Sequence, residues 1–241
     1  MNLLFFVLFF CIIHCIIRRY CKKNEIILTI STFLSKPNKI EQCTNALTSL
    51  RENGILDRVD KVILINEYEI PEPVWKKMIM TFPQVEFIQK GPYDKGQART
   101  LNIILEKIKP YAFWIHWEES WLCERPFITE AIRIMRGSPD ISQLQITQDW
   151  GDIPPERIIN RGEHNIILEG GADDWPLFSL RPSINRVRHY RDMEPFIEDV
   201  KFWPIRFERE FGTRWIAAGC VKAVLTREAA TRQLGHVSTY H

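Results

Sequence analysis

Two adjacent carboxylates follow an apolar segment near the middle of the sequence. Residues 113–121 read FWIHWEESW, in which Glu118 and Glu119 come directly after a run with the composition of a buried strand. Carboxylates at a strand end can hold a divalent cation against a diphosphate, or they can accept hydrogen bonds from ribose hydroxyls. The alternative is a pair of surface acids at the junction between two elements.

Two cations lie one helical turn apart in a second polar segment. Lys95 and Arg99 stand on either side of Gly96, at the start of the helical pattern in GQARTLNIILEK. Cations beside a helix N-terminus suit a diphosphate, because the amide donors and the helix dipole add to their charge. A solvated loop is the alternative interpretation.

The elements that must position these residues alternate between strands and helices. Apolar segments rich in β-branched residues predict four strands, EIILTIST, KVILIN, VEFIQ and AFWIHW, with helical spacing of apolar residues between them. This alternation is typical of a parallel sheet with right-handed crossovers. Because ligands bind outside the carboxyl ends of strands in such sheets, we expect one crevice formed by the polar loops at residues 32–36, 66–69, 91–99 and 118–120.

The second half of the sequence continues the alternation around a loop-rich region at residues 148–174. It contains a predicted helix in FITEAIRIMRGSP, a strand in ISQLQIT, a second helix in WPIRFEREFGTRW and a final strand in IAAGCVKAVL. The sequence has no internal repeat and no change in composition that would mark a linker. We therefore predict one α/β domain at residues 24–241.

Composition limits the function classes. The 241 residues are 45% hydrophobic, which suffices for one sizeable core. The 32 basic and 30 acidic residues give a net charge of +2, so the chain lacks the concentrated basic charge of a nucleic-acid-binding protein. The six cysteines include no CxxC pair, which argues against a zinc site and against a disulfide framework.

The N-terminus is apolar over residues 3–17 and then basic as far as Lys23. As a helix the apolar run would span roughly 22 Å, short of a hydrocarbon core of about 30 Å. We expect residues 1–23 to form a retained membrane anchor or signal-anchor helix, and a removed signal peptide is the alternative. The positive charges on its C-terminal side predict a cytoplasmic location for the globular part.

Several segments resemble a known family in their order and spacing. ILTISTFLSKPNKIEQCTNALTSL, GQARTLNIIL and FWIHWEESW resemble the nucleotide-sugar-binding half of a family 2-like glycosyltransferase of the GT-A fold, and DDWPLFSLRPSINR and FEREFGTRWIAAG resemble its acceptor-side half. The resemblance covers residues 26–240. It implies a single GT-A-like, Rossmann-type domain with a mostly parallel central sheet flanked by helices. Residues 24–122 would bind the nucleotide and residues 123–241 would face the acceptor.

The resemblance also implies roles for the polar residues at the strand ends. The first loop would accept the base, the second would contact base or ribose, and the helix after the glycine-led loop would face the nucleotide. The implied nucleotide-sugar-binding residues are Thr32, Phe33, Asn66, Glu67, Lys95, Arg99, Asn102, Glu118 and Glu119.

A divalent cation, Mn²⁺ or Mg²⁺, is implied at Glu118 and Glu119, but the sequence departs from the family pattern there. Ser120 stands where a carboxylate normally grips the metal, and Gln233 stands where a late histidine is often found, with His236 close by. A serine hydroxyl is a poor magnesium ligand. Three alternatives stay open: a loosely bound cation, a cation held by Glu119 in place of Ser120, or a diphosphate neutralised by side-chain cations alone.

An inverting sugar transfer needs a carboxylate that takes the proton of the acceptor hydroxyl. FEREF offers Glu208 and Glu210, which point about 200° apart on a helix, so only one can face the crevice. Glu208 is adjacent to the apolar position Phe207, and Glu210 is adjacent to Phe211. Helical periodicity therefore does not indicate which of the two glutamates faces the crevice. The resemblance favours Glu208. The acidic pair at residues 198–199 is another candidate, and a solvated amphipathic helix is the alternative.

The loop-rich region supplies the candidates for acceptor binding. Asp149 could hydrogen-bond sugar hydroxyls, and Trp150 and Trp175 offer flat faces that suit sugar rings, whereas the alternative for a tryptophan is to fill the core.

Together these features predict a membrane-associated glycosyltransferase of the hexosyltransferase type. It would transfer a sugar from a nucleotide-diphosphate donor, with inversion, to a hydroxyl of a glycan, a lipid-linked or a protein acceptor. One alternative is a non-catalytic protein that binds sugar nucleotides or a partner, which Ser120 and Gln233 would suit. A nucleotidyltransferase fits less well, because FLSKPNK after the first strand contains no glycine for a phosphate loop.

Overall fold

The computed structural model describes residues 24–147, 153–168, 178–193, 195–199, 206–226 and 229–234. Within them the strands are β1 (Ile26–Thr32), β2 (Lys61–Asn66), β3 (Val85–Gln89), β4 (Phe113–Glu118), β5 (Trp121–Cys123), β6 (Ile141–Gln145), β7 (Ile158–Asn160), β8 (His164–Ile167), β9 (Ser183–Arg186), β10 (Val221–Leu225) and β11 (Thr231–Gln233). The helices are α1 (Pro37–Glu52), α2 (Glu72–Thr81), α3 (Gln97–Lys107), α4 (Ile128–Gly137), α5 (Val187–Arg191) and α6 (Arg206–Ala217).

The large sheet has the strand order β3-β2-β1-β4-β9-β6-β10-β8-β7. β1 pairs in parallel with β2 and with β4, and β2 pairs in parallel with β3, so this part has the predicted arrangement. β6 and β10 are also parallel, but β9 runs antiparallel between β4 and β6, and β8 runs antiparallel to β10. The predicted α/β sheet flanked by helices is confirmed, and antiparallel strands complete its second half.

Both faces of the sheet are covered. One apolar cluster joins β1 and β4 to α1 and α4, and it includes Leu28, Leu47 and Met135. The other joins the opposite face to α3, α5 and α6, and it includes Leu101 and Phe211. All seven residues of β1 are therefore buried, which explains its unbroken apolar sequence.

The first helix shows why the local boundaries could be predicted. Pro37 occupies its first turn, where the missing N–H of proline costs nothing. Gly54 follows the helix with a φ of 65°, a left-handed conformation that glycine adopts without a steric penalty. The C-terminal glycine signal thus sets the end of α1.

Several elements differ from the expectation or were not predicted. The final strand begins only at Val221, because Ile216 and Ala217 continue α6 and Gly219, at φ 72°, ends that turn. β9 and the hairpin of β7 and β8 lie in segments with no clear periodicity. A two-stranded sheet of β5 and β11 brings Gln233 opposite Trp121.

The described segments contain no helix that is both long and apolar enough to cross a membrane. The predicted anchor at residues 1–23 lies outside them.

Candidate active site

The connection order of the sheet creates a crevice between β1 and β4. From β1 the chain moves outward through β2 to β3, and it then returns to the other side of β1 as β4. The strand order therefore reverses between β1 and β4, and in open α/β sheets the carboxyl ends of the strands at such a reversal are the position at which ligands bind. This is the edge at which the sequence predicted a ligand site.

Thr32 and Asn66, at the ends of β1 and β2, hold each other in place. Thr32 Oγ1 donates to Asn66 Oδ1 at 3.2 Å, and the N–H of Leu34 donates to the same oxygen at 3.0 Å. Asn66 Nδ2 donates to the carbonyl of Tyr68 and, at 3.1 Å, to Gln89 Oε1. Both side chains lie at the predicted crevice, but their hydrogen bonds are made within the protein.

Glu67 fixes the loop that leads to α3. One of its carboxylate oxygens accepts from the N–H of Gly96, and the other lies 3.7 Å from Lys90 Nζ. Lys90 is fully buried, and it donates to the carbonyl of Gly96 at 3.0 Å and to Thr100 Oγ1 at 2.9 Å. Burial lowers the pKa of Lys90, and the charge of Glu67 opposes that shift. Glu67 therefore braces a loop, which argues against the expected contact with base or ribose.

Arg99 and Lys95 have different surroundings. Arg99 Nε lies 3.0 Å from Asp94 Oδ1, and Arg99 Nη1 lies 3.6 Å from carboxylate oxygens of both Glu106 and Glu198. Three carboxylates thus surround the guanidinium, which argues against the predicted diphosphate contact. Lys95 is exposed and has no ion-pair partner among the described residues, so it remains available.

Asn102 lies inside the protein, away from the expected nucleotide contact. Its Nδ2 donates to the carbonyl of Phe196 at 2.9 Å and to Glu198 Oε1 at 2.6 Å, and its Oδ1 accepts from the N–H of Phe196 at 2.9 Å. The amide therefore clamps the segment at residues 195–199 to α3. This contact between distant parts of the chain has no signal in the sequence.

Glu118 faces α3 and α6. Gln97 Nε2 donates to Glu118 Oε1 at 2.9 Å. The Glu118 side chain keeps some solvent contact, but protein atoms surround its carboxylate. This burial raises the pKa of Glu118 to about 8, with further contributions from the charges of Glu119 and Glu208. The carboxyl group is thus mostly protonated at neutral pH.

Glu119 points the other way, toward α1. Its Oε1 lies 3.4 Å from Lys39 Nζ. Burial raises the pKa of Glu119, and Lys39 opposes the shift. Glu119 therefore supports the start of α1.

The predicted cation site at Glu118 and Glu119 does not fit this geometry. The two carboxylates turn toward helices that cover opposite faces of the sheet. Within the part of the chain that the structure describes, no group of three or more His, Cys, Asp or Glu side chains could hold a metal ion. Ser120 and Gln233 are neighbours in space, since the N–H of Leu234 donates to the carbonyl of Ser120 at 2.7 Å.

The structure shows which of Glu208 and Glu210 faces the crevice, a choice that helical periodicity left open. Glu208 Oε1 accepts from the N–H of Leu180 at 3.0 Å, and its charge acts on Glu118 across the crevice. Burial raises the pKa of Glu208. Glu210 instead forms a bidentate pair with Arg214, at 2.7 and 2.8 Å. Only Glu208 faces the crevice.

Ser31 is a crevice residue that the sequence analysis did not single out. Ser31 on β1 lies opposite Glu118 on β4 in the strand register. The Ser31 side chain is on the opposite face of the sheet from the Thr32 side chain. Ser31 Oγ is buried and has no hydrogen-bond partner within the described part of the chain. Strand alternation was the signal that could have found it, because it puts residues 31 and 32 on opposite faces. The acceptor candidates Asp149, Trp150 and Trp175, and also His236, lie outside the described residues.

Solved structures share this fold. No family model matches the sequence, and no curated protein matches it. S. aureus TarS 1-349 in complex with UDP-GlcNAc is 14% identical with a TM-score of 0.62, over 90% of this chain and 61% of that chain. The mannosyltransferase PcManGT from Pyrobaculum calidifontis in complex with GDP-Man and Mn2+ is 12% identical with a TM-score of 0.59, over 91% of this chain and 62% of that chain.

These likenesses show the fold. The chain spans 60% of the length of a second structure of S. aureus TarS 1-349, with 13% identity and a TM-score of 0.62. The predicted resemblance is confirmed at this level: the chain has the fold of the GT-A-type glycosyltransferases.

Proposed function

We propose that this chain is a glycosyltransferase that transfers a sugar from a nucleotide-diphosphate donor to a hydroxyl acceptor, with inversion. The observation that carries the proposal is that Glu118 on β4 and Glu208 on α6 are close enough for the charge of Glu208 to help raise the pKa of Glu118. The two residues come from different halves of the chain. The fold shared with structures that bind UDP-GlcNAc and GDP-Man supports the assignment.

Glu208 is the proposed general base. The acceptor oxygen attacks the anomeric carbon while the bond to the diphosphate breaks, the bonding electrons leave with the diphosphate, and the acceptor proton passes to the base. Burial raises the pKa of Glu208 toward the range in which a carboxylate takes protons efficiently at neutral pH. The hydrogen bond from Leu180 holds one oxygen and leaves the other for the acceptor.

Glu118 is the proposed contact for the donor phosphates. With a pKa of about 8 it carries a proton at neutral pH, and a protonated carboxyl group can donate a hydrogen bond. It would stabilise the negative charge that develops on the leaving diphosphate, where an ionised carboxylate would repel it. Lys95, exposed two residues before α3, is the proposed source of positive charge for the same diphosphate.

Replacement of the two helix carboxylates tests the proposal. In the full-length chain we expect Glu208→Gln to reduce release of nucleoside diphosphate from UDP-GlcNAc or GDP-mannose by about 10²–10⁴-fold, with donor affinity unchanged. Glu210→Gln is the matched control, because it removes a carboxylate from the same helix that is held by Arg214. Unchanged turnover in Glu208→Gln would remove Glu208 from the mechanism.

A non-catalytic sugar-nucleotide-binding protein is the second candidate. The observation in its favour is the separation of Glu118 from Glu119, which leaves no carboxylate pair for a cation at the end of β4. The same assay distinguishes the two candidates. A wild-type chain that binds donors and releases no nucleoside diphosphate, with or without Mn²⁺, would establish the second.

We also propose that residues 1–23 anchor the domain to a membrane. β1 begins at Ile26 at the amino end of the sheet, so an anchor there would leave the crevice at the edge farthest from the bilayer. Alkaline extraction of membranes from cells that produce the full-length chain, or residues 24–241 alone, tests this. Release of the full-length chain would contradict it.

A further inference from the structure

A cavity of about 350 Å³ lies outside the crevice, on the face of the sheet that α1 and α4 cover. Its walls come from the connection between α1 and β2, from the residues at the start of α4, and from the turn between β7 and β8. The lining residues are Arg58, Arg125, Pro126, Phe127, Thr129, Glu130, Arg133 and Glu163. Since α6 covers the opposite face of the sheet, this cavity is separate from the proposed active site.

The charges that line the cavity do not cancel. Its walls carry three arginines and two glutamates, which leaves one positive charge in excess. Arg125 Nη1 donates to Glu130 Oε2 at 3.0 Å, and Arg133 forms a bidentate pair with Glu163. These two pairs balance two of the three cations within the cavity wall.

Arg58 supplies the excess charge. Its Nη1 donates to the hydroxyl of Thr129 at 3.2 Å, and it has no ion pair within the part of the chain that the structure describes. A neutral hydroxyl does not balance the charge of a guanidinium group, whose five N–H donors have a fixed planar geometry. Because Arg58 is exposed, a ligand can reach it from solvent.

The charge balance and the shape of the cavity indicate which anion fits. Guanidinium groups bind the oxygens of phosphates and carboxylates, and a phosphodiester carries one negative charge, equal to the excess in the cavity. The oxygens of a phosphate are arranged tetrahedrally and accept from cations on different walls, whereas the two oxygens of a carboxylate lie in one plane. The volume corresponds to roughly ten water molecules, so it leaves room for the groups that a diester carries.

We propose that this cavity binds a phosphodiester, with Arg58 as the main cation and with Arg125 and Arg133 as further donors. The headgroup of an anionic phospholipid and a soluble phosphodiester both carry this group. Arg58 precedes β2 at the amino end of that strand, the edge of the sheet at which the proposed membrane anchor would join β1. The site is additional to the proposed function and does not depend on it.

Binding of glycerophosphoglycerol, a soluble phosphodiester, tests the proposal in the full-length chain in a phosphate-free detergent. Broadening of the ³¹P NMR line of the ligand gives the affinity. We expect saturable binding to the wild type and at least about tenfold weaker binding to Arg58→Gln, because the substitution removes a charge-assisted hydrogen bond. Arg136→Gln is the matched control, since Arg136 is exposed on α4 but is not among the lining residues, and it should bind like the wild type.

Native mass spectrometry of the same chain with phosphatidylglycerol, and with diacylglycerol, distinguishes the two sources of the ligand. A phosphatidylglycerol adduct that Arg58→Gln loses and Arg136→Gln retains would assign the site to a lipid headgroup, because diacylglycerol lacks the phosphate. Binding of glycerophosphoglycerol without such an adduct would assign it to a soluble phosphodiester. Either result supports the proposal.

If neither probe shows binding that depends on Arg58, the proposal is wrong. Diester binding that Lys95→Ala weakens and Arg58→Gln leaves unchanged would also overturn it, because the ligand would then occupy the proposed donor site. If Arg58→Gln fails to fold, Arg133→Gln, also at an exposed position, should weaken the diester by a similar factor and gives the same test. These measurements report binding alone, so failure of the glycosyltransferase proposal would leave this one standing.

Discussion

The carboxyl ends of β2 and β4 differ in how their polar side chains are partnered. At the end of β2, Asn66 is fully buried and makes hydrogen bonds with all of its polar atoms. In β4, the two ring nitrogens of His116 have no hydrogen-bond partner among the residues that the structure describes, and Glu118 has a raised pKa. The polar groups at the end of β2 stabilise the protein's own structure. Those in β4 are buried in an energetically unfavourable state, whose free energy a bound ligand or proton would lower.

The largest effect is expected from breaking the network at β2. Asn66→Ala leaves several buried groups without partners, among them the N–H of Leu34 and the side chain of Gln89, so we expect a loss of about 4 kcal/mol in the free energy of unfolding. Urea denaturation measures it. Asn38→Ala, at an exposed position in the first turn of α1, is the control and should change little. A loss below about 1 kcal/mol in Asn66→Ala would show that the network does not hold this edge together.

The histidine in β4, His116, is expected to have an intermediate effect on the free energy of unfolding. Burial lowers the pKa of His116 from 6.5 to about 3. The unfolded chain then binds more protons than the folded chain between these values, so this contribution to stability is present above pH 6.5 and is lost as the pH falls. The loss amounts to about 3 kcal/mol at pH 4.

The His116→Phe variant checks that expectation. It should lose less stability than the wild type between pH 7 and pH 4 in chemical denaturation, because its ring cannot take up a proton. Parallel pH profiles for the two proteins would show that the unpartnered imidazole is not a source of acid sensitivity.

The smallest effect on the free energy of unfolding is expected at Glu118. Its contribution to stability falls as the pH rises, opposite to that of His116. Its folded pKa of about 8 exceeds the value of 4.5 for the unpaired group, so the folded chain binds more protons between these values. The stabilising contribution is present below pH 4.5 and is lost as the pH rises through 8. Glu118→Gln cannot ionise, and we expect it to exceed the wild type in stability by about 2 kcal/mol at pH 6 and to match it at pH 4. A variant that is less stable than the wild type at pH 6 would contradict this account of the crevice.

Local patterns were sufficient for the first half of the fold. The strands from β1 to β4 and the helices between them follow from apolar periodicity and from signals such as Gly54, and the crevice follows from their order. β9 could not be predicted in this way. It enters the sheet between β4 and β6, and the bonds that stabilise it connect residues far apart in the sequence.

The sequence by itself determined the α/β alternation, the edge of the sheet at which polar residues gather, and the pair Glu208 and Glu210 from which one faces the crevice. These follow from spacing along a helix or a strand, which is a local property of the chain. Only the tertiary structure decided that Glu208 faces Glu118 while Glu210 binds Arg214, and that Asn66, Glu67 and Asn102 are used internally. The reason is that partners for a buried polar group come from whichever distant segment packs against it, and that choice is made when the whole chain folds.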